Sequence, residues 1–163
     1  MTSTITPCLW FDGNGLEAAE YYVSVIPGSR ITDVSYYGSD QPGEKGAVLT
    51  VAFELAGRPF TALNGGPQYK FTEAISMQVS AASQDEVDNY TERLTAGGGD
   101  VGPCGWVKDR FGLSWQVVPD ALMELLSDPD PVRANAAMQA MMGMMKIDIQ
   151  GLRDAADAAV PSA

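Results

Sequence analysis

The chain has 163 residues, 10 Lys and Arg against 21 Asp and Glu, a net charge of −11 and no histidine. Such an acidic surface repels phosphate backbones, so nucleic acid is excluded as an expected partner. The lack of imidazole removes the usual general base near neutral pH and the commonest metal ligand, and with them the Ser-His-Asp, Cys-His and HExxH chemistries.

The two cysteines, Cys8 and Cys104, lie far apart and outside any CxxC pattern. This spacing favours two reduced thiols over a long-range disulfide, as expected in a reducing compartment. Residues 1–6 lack the basic start and apolar run of a signal peptide, and no apolar run approaches the ~18 residues of a membrane span. We therefore expect a cytoplasmic protein with no membrane partner.

The first part of the chain predicts the element order βαβββ. Asn14, with Glu17 three residues later, is typical of a capping box at a helix start, and Pro27-Gly28 ends that helix. The predicted strands are Ile5–Phe11, Ile31–Tyr37, Ala47–Leu55 and Arg58–Leu63.

The same order then recurs, offset by roughly 65 residues, which indicates an internal repeat. Ser83 is the predicted cap of the second helix, with Glu86 as its capping-box partner. The Gly97–Gly99 run follows this helix, so it is interpreted as a helix end and not as a phosphate-binding loop. The predicted strands are Ala74–Ser80, Asp100–Cys104, Gly105–Lys108 and Leu113–Val118.

The last strand has the clearest pattern. A turn at 109–112 precedes it, with an acid at its start and a glycine at its end. Leu113, Trp115 and Val117 alternate with Ser114, Gln116 and Val118, so one face is apolar and the other presents a lone amide. Asp109 and Arg110 are interpreted as a turn acid and a surface charge; the alternative is a catalytic acid or phosphate clamp.

After Pro119 the sequence is helical. Asp120, Asp130 and Asp148 are predicted to cap three helices, the second in the favoured Asp-Pro arrangement. Four methionines of this segment fall at i, i+3, i+4 and i+7, which favours a packing face, within or between subunits, over a Cu(I) site. They are Met138, Met141, Met142 and Met145.

The repeat and its motifs resemble the vicinal-oxygen-chelate superfamily, which includes glyoxalases, bleomycin-resistance proteins and ring-cleaving dioxygenases. The narrower similarity is to the PhnB-like branch, often labelled 3-demethylubiquinone-9 3-methyltransferase-like. It rests on the stretches ITPCLWFDGN at 5–14, ALNGGP at 62–67, DRFGLSWQVVP at 109–119 and MMKIDIQGL at 144–152. No Rossmann-like GxGxxG turn accompanies the methyltransferase label.

The resemblance implies an α+β fold in which two βαβββ units form cupped mixed sheets, followed by C-terminal helices. We expect a first unit at 1–70, a second at 71–119 and a helical extension at 120–163. It also implies that paired units enclose a pocket, and that the protein is a homodimer.

Metal-using members of the superfamily place His and Glu ligands on the first and last strands of each unit. In this chain those places fall on Gln116 and near Ser76 in the second unit, and near Thr61 and Pro7 in the first. All four residues are neutral and are poor ligands for a divalent ion. We therefore predict no metal and no cofactor.

The predicted ligand-binding residues are neutral or apolar, as in sites that orient small organic molecules. An alternative is that the polar residues among them only pair across strands. Trp106 is the candidate for stacking on a planar ligand, whereas Trp115 points to the core. The set is Ser76, Gln78, Ser114, Gln116, Thr61, Leu9, Phe11 and Trp106.

Three functions remain open at this point. The first is a metal-free module that binds a small molecule. The second is an enzyme of lyase, isomerase or transferase type, using a weakly held metal or a carboxylate such as Asp12, Glu54 or Asp109 with a shifted pKa. The third is a dimeric scaffold with no working pocket.

Overall fold

The computed structural model describes residues 5–40 and 42–159, and the chain divides into two units, Met1–Phe71 and Thr72–Ala163. Each unit carries one four-stranded sheet. No helix among the described residues is long and apolar enough to cross a bilayer.

The first unit has the predicted order βαβββ. Its elements are β1 (Cys8–Phe11), α1 (Gly15–Val25), β2 (Arg30–Tyr36), β3 (Val48–Leu55) and β4 (Arg58–Asn64). The strand order is β1-β4-β3-β2, with β1 parallel to β4 and the other pairs antiparallel. The apolar alternation along β3 places Val51 and Phe53 in the core, where Phe53 packs against Tyr22 of α1.

The second unit repeats this order. Its sheet elements are β5 (Ser76–Ala81), α2 (Gln84–Thr95), β6 (Asp100–Val101), β7 (Trp106–Lys108) and β8 (Ser114–Pro119). The strand order β5-β8-β7-β6, with β5 parallel to β8, matches that of the first sheet. The predicted repeat and fold class are therefore confirmed.

Three helices follow: α3 (Asp120–Leu126), α4 (Pro131–Met142) and α5 (Ile149–Ala158). Leu122, Ile147 and Leu152 form their buried cluster, against which Met141 and Met144 pack. Met138, Met142 and Met145 are instead exposed. The predicted methionine face is thus divided, because only part of it meets the neighbouring helices.

Helix caps agree with the sequence where the cap is local. The side chain of Asp130 accepts a hydrogen bond from Val132 N, and that of Asp148 accepts from Gln150 N and Gly151 N. Ser83 Oγ accepts from Glu86 N at 3.3 Å, and Glu86 Oε2 accepts from Ala82 N. Except for the bond from Ala82 N, which lies before the helix, these bonds satisfy N–H groups of the first helical turn that have no partner within the helix.

One predicted cap is wrong and another lacks its side-chain hydrogen bond. Asn14 occupies the N-cap position of α1 as predicted, but its side chain makes no cap hydrogen bond. Asn64 Oδ1 accepts the hydrogen bond of Gly15 N, the first residue of the helix, at 2.8 Å. Asp120 is the first residue of α3 and not its cap; Pro119 holds the cap position.

The predicted strand Asp100–Cys104 is also wrong beyond its second residue. It ends at Val101, and a short 3-10 turn covers Pro103–Gly105. Proline has no N–H to give to a strand ladder, and Cys104 has the left-handed backbone (φ 57°) that no strand contains. The chain therefore bends away from β7 at this point.

Candidate functional site

One face of the second sheet gathers most of the predicted polar residues. Ser76 lies opposite Ser114 and Gln78 opposite Gln116 in the parallel β5–β8 pair, so all four side chains share a face. Gln116 Nε2 donates a hydrogen bond to Ser76 Oγ at 2.7 Å. Cross-strand pairing, one of the alternatives above, therefore occurs for these two residues.

The same face continues onto β7. Trp106 lies opposite Gln116, and Lys108 opposite Ser114. Trp106 is half-buried, as a ring with one face available for stacking would be. The structure thus brings the second-unit members of the predicted set onto one surface.

A cavity of about 370 Å³ lies at this surface, within the size range of small-molecule sites. Its walls include the apolar residues Val101, Pro103 and Trp106 together with Ser114. Glu73, Asp100 and Lys108 supply its charged groups. Val101 at the end of β6 and Pro103 in the 3-10 turn after it both line the cavity.

Ser114 is the unusual residue of the cavity. It is 1% exposed, and its Oγ has no hydrogen-bond partner among the described residues. A buried hydroxyl without a partner costs free energy, on the order of 1–3 kcal/mol, and such groups are rare in native proteins. Ser114 lines the cavity, and its Oγ, which is itself buried, is a polar atom there without a protein partner.

The charged groups of the cavity are unevenly matched. Lys108 Nζ forms an ion pair with the Glu73 carboxylate. This hydrogen bond lowers the pKa of Glu73 and raises the pKa of Lys108; the Asp100 charge adds a smaller raising effect on the pKa of Lys108. Two carboxylates and one ammonium leave the cavity with one net negative charge.

The turn before β8 fixes where Lys108 and Ser114 lie. Asp109 is 2% exposed, and its Oδ1 accepts hydrogen bonds from Phe111 N and Leu113 N. Its Oδ2 accepts from Trp115 Nε1 at 2.9 Å. These bonds confirm the turn-acid interpretation and hold the two flanking residues opposite each other.

The predicted residues of the first unit do not share a face with one another. Thr61 pairs with Cys8, whereas Leu9 pairs with Ala62 and Phe11 with Asn64, so Thr61 lies on the opposite face. Leu9 and Phe11 are 4% and 3% exposed and belong to the core. An isolated four-residue strand does not reveal in the sequence which of its faces a helix covers, so the pattern of β1 leaves its core face open.

Three charged residues of the cavity were missing from the prediction. Lys108 could have been found, since it is two residues from Trp106 on a short strand and so shares its face. Asp100 lies opposite Lys108 only in the register of the folded sheet. Glu73 precedes β5 in a stretch without a pattern, and no sequence signal marks it.

The residues at the superfamily's ligand positions do not fit a metal ion. Gln116 and Ser76 offer an amide and a hydroxyl that bond to each other. Thr61 and Pro7 offer no charged donor either. Over residues 5–40 and 42–159, no group of three or more His, Cys, Asp or Glu side chains could hold a metal.

Residues 3–118 match the family model described as 3-demethylubiquinone-9 3-methyltransferase, which is more than half of the chain. The chain belongs to this PhnB-like family. It resembles a putative 3-demethylubiquinone-9 3-methyltransferase, a PhnB protein from Bacillus cereus, at 29% identity and a TM-score of 0.63. That similarity covers 72% of this chain and 99% of the other. No curated protein is found to match this PhnB-like chain.

More distant structures support the glyoxalase-like fold alone. A Pseudomonas aeruginosa protein is 23% identical with a TM-score of 0.57, over 73% of this chain and 100% of that one. The fosfomycin resistance protein FosX from Listeria monocytogenes, complexed with Mn(II) and sulfate, is 18% identical with a TM-score of 0.52. It is matched over 77% of the PhnB-like chain and 96% of its own length.

Proposed function

We propose that this PhnB-like protein binds a small organic molecule in the cavity of its second unit, without a metal. The observation that carries the proposal is the buried, unpartnered hydroxyl of Ser114 on the cavity wall. Apolar walls with a few polar groups are the usual composition of small-molecule sites, and the polar groups fix the orientation of the ligand. Trp106 supplies a ring on which a planar part of the ligand stacks.

The surroundings of Asp109 and Glu54, two of the three candidate carboxylates, favour binding over catalysis. Asp109 is occupied by the turn, and Glu54 forms an ion pair with Arg30 at 3.0 Å. Glu73 has a lowered pKa because of its hydrogen bond with Lys108, so it stays ionised and is a poor proton donor near neutral pH. The scaffold alternative requires a collapsed pocket, whereas the second unit has a cavity of about 370 Å³.

The homodimer and the cytoplasmic location stay part of the proposal. The homodimer rests on the family resemblance, and the location on the spacing of the two cysteines. The predicted division into a first βαβββ unit at 1–70, a second at 71–119 and a helical extension at 120–163 likewise stays a proposal. Residues 1–4, 41 and 160–163 of these segments lie outside the described ranges.

A thermal-shift screen tests binding and the metal together. The full chain is screened against small metabolites and, in separate wells, against Mn²⁺, Ni²⁺, Zn²⁺ and Fe²⁺. We expect at least one metabolite to raise the midpoint of unfolding by mass action, and no metal to do so. Ser114→Ala should reduce that shift, since a lost hydrogen bond costs about 1 kcal/mol or roughly fivefold in affinity.

Ser35→Ala is the matched control for this screen. Its Oγ bonds to Thr50 Oγ1 at 2.6 Å in the first unit, away from the cavity residues in sequence. It should lower the midpoint of unfolding but leave the ligand-induced shift intact. A metal-dependent shift, or a metabolite shift that Ser114→Ala leaves unchanged, would contradict the proposal.

A further inference from the structure

We propose that the ligand of this cavity is an organic cation, an apolar and preferably aromatic body that carries a protonated amine. This inference rests on the proposed function, because it assigns a chemical class to the ligand of the same site. It starts from two independent features, the charge balance of the cavity and the unpartnered Ser114 hydroxyl.

The charge balance excludes anions and favours cations. Lys108 is the one basic residue among the described cavity-lining residues, and Glu73 already occupies it. An anion would have to break this ion pair and would meet two carboxylates. A cation would meet the Lys108–Glu73 pair, whose charges cancel, and one further carboxylate whose negative charge is not cancelled.

Asp100 is that further carboxylate. Its register partner in the antiparallel β6–β7 pair is Lys108, so its side chain lies beside the ion pair on the same face. None of the hydrogen bonds and ion pairs found among the described residues involves its carboxylate, and Lys108 interacts with it through charge alone. An ammonium group placed here would gain a charged partner without displacing one.

The apolar walls require that the rest of the ligand be apolar. Val101, Pro103 and Trp106 offer it surface to bury, and an ammonium near the indole face gains a cation–π contribution. Ser114 then bonds a polar atom of the body, which orients the molecule with its amine toward Asp100. The net charge of −11 on the whole chain adds long-range attraction for cations.

Three probes of one shape and different charge test the inference: tryptamine, a cation at neutral pH, tryptophol, its neutral hydroxyl analogue, and indole-3-propionate, an anion. Isothermal titration calorimetry on the full chain should rank them in that order. We expect tryptamine to bind about fivefold more tightly than tryptophol, as exposed charge pairs allow. This ratio should shrink when NaCl is raised from about 0.05 M to about 1 M.

Substitutions test which residues cause the preference for tryptamine over tryptophol. Asp100→Asn should lower the tryptamine-to-tryptophol ratio by about threefold, and Lys108→Met should raise it because Glu73 is then free. Glu20→Gln, which removes an equal charge from an exposed site on α1 of the first unit, is the matched control and should leave the ratio unchanged. Ser114→Ala should weaken tryptamine and tryptophol alike.

The outcomes separate this inference from the function on which it rests. Equal binding of the three probes, lost in Ser114→Ala, would overturn the cation preference and support a neutral ligand in the same cavity. Tighter binding of indole-3-propionate would overturn it in the same way. If neither a probe nor a screened metabolite binds in a Ser114-dependent manner, both the inference and the proposed function fail.

Discussion

The two units carry the same strand order, but two of their buried polar residues, Asn64 and Ser114, are bonded differently. In the first unit, Asn64 is 7% exposed and both ends of its amide are hydrogen-bonded: Oδ1 accepts from Gly15 N, and Nδ2 donates to Val48 O at 3.0 Å. Its backbone carbonyl accepts from Tyr37 Oη. In the second unit, Ser114 is more deeply buried and its Oγ has no partner among the described residues.

The difference separates a structural role from a functional one. A satisfied buried polar group fixes the fold around it, and removing it leaves its partners unpaired. A buried polar group without a protein partner does not stabilise the fold, and under the proposed function the partner of the Ser114 hydroxyl is a ligand. The first unit therefore uses its buried amide to join β4 to α1, whereas the second keeps a hydroxyl available at a cavity.

The largest effect is expected at Asp109, the satisfied buried group of the second unit. In Asp109→Asn an amide N–H would face Trp115 Nε1–H, two donors in contact, so we expect a loss of about 3 kcal/mol in the free energy of unfolding. Urea denaturation measures this loss.

A double-mutant cycle sharpens the Asp109 test. Trp115→Phe removes the facing N–H, so the combined variant should be more stable than the sum of the two single changes predicts, by about 1 kcal/mol. Strict additivity would mean that the Asp109–Trp115 hydrogen bond does not hold the turn.

A somewhat smaller loss is expected at Asn64. Asn64→Ala leaves Gly15 N–H and Val48 C=O without their partners, which should cost about 2 kcal/mol. The control is Asn135→Ala on the exposed side of α4, which should change stability by less than about 0.5 kcal/mol. If urea denaturation gave the same loss in the free energy of unfolding for both alanine variants, the structural role assigned to Asn64 would be contradicted.

The smallest effect on folding is expected at Ser114. Ser114→Ala removes a hydroxyl that bonds to nothing in the described chain, so the free energy of unfolding should stay within about 0.5 kcal/mol or rise slightly. Ser35→Ala, which removes a bonded hydroxyl, should cost about 1 kcal/mol. A destabilisation by Ser114→Ala as large as that of Ser35→Ala would show that the hydroxyl has a structural partner.

Local patterns predicted the repeat and much of the site. Period-two alternation along β8 separated Trp115 from Gln116, and the parallel β5–β8 register then placed Ser76 and Gln78 beside Ser114 and Gln116. The same alternation failed along β1. Leu9 and Phe11 lie beneath the sheet on the side of α1, and the four residues of β1 alone do not say which side that is.

Sequence alone determined that this chain folds as two βαβββ units. It also determined the neutral polar strand face of the second unit, because successive side chains of a strand point to opposite faces. Tertiary structure decided what meets at that face. Glu73 reaches Lys108 across 35 residues of chain, and Asn64 accepts the hydrogen bond of Gly15 N at the start of α1 across 49 residues. Contacts at such separations depend on register and chain direction, which no local pattern encodes.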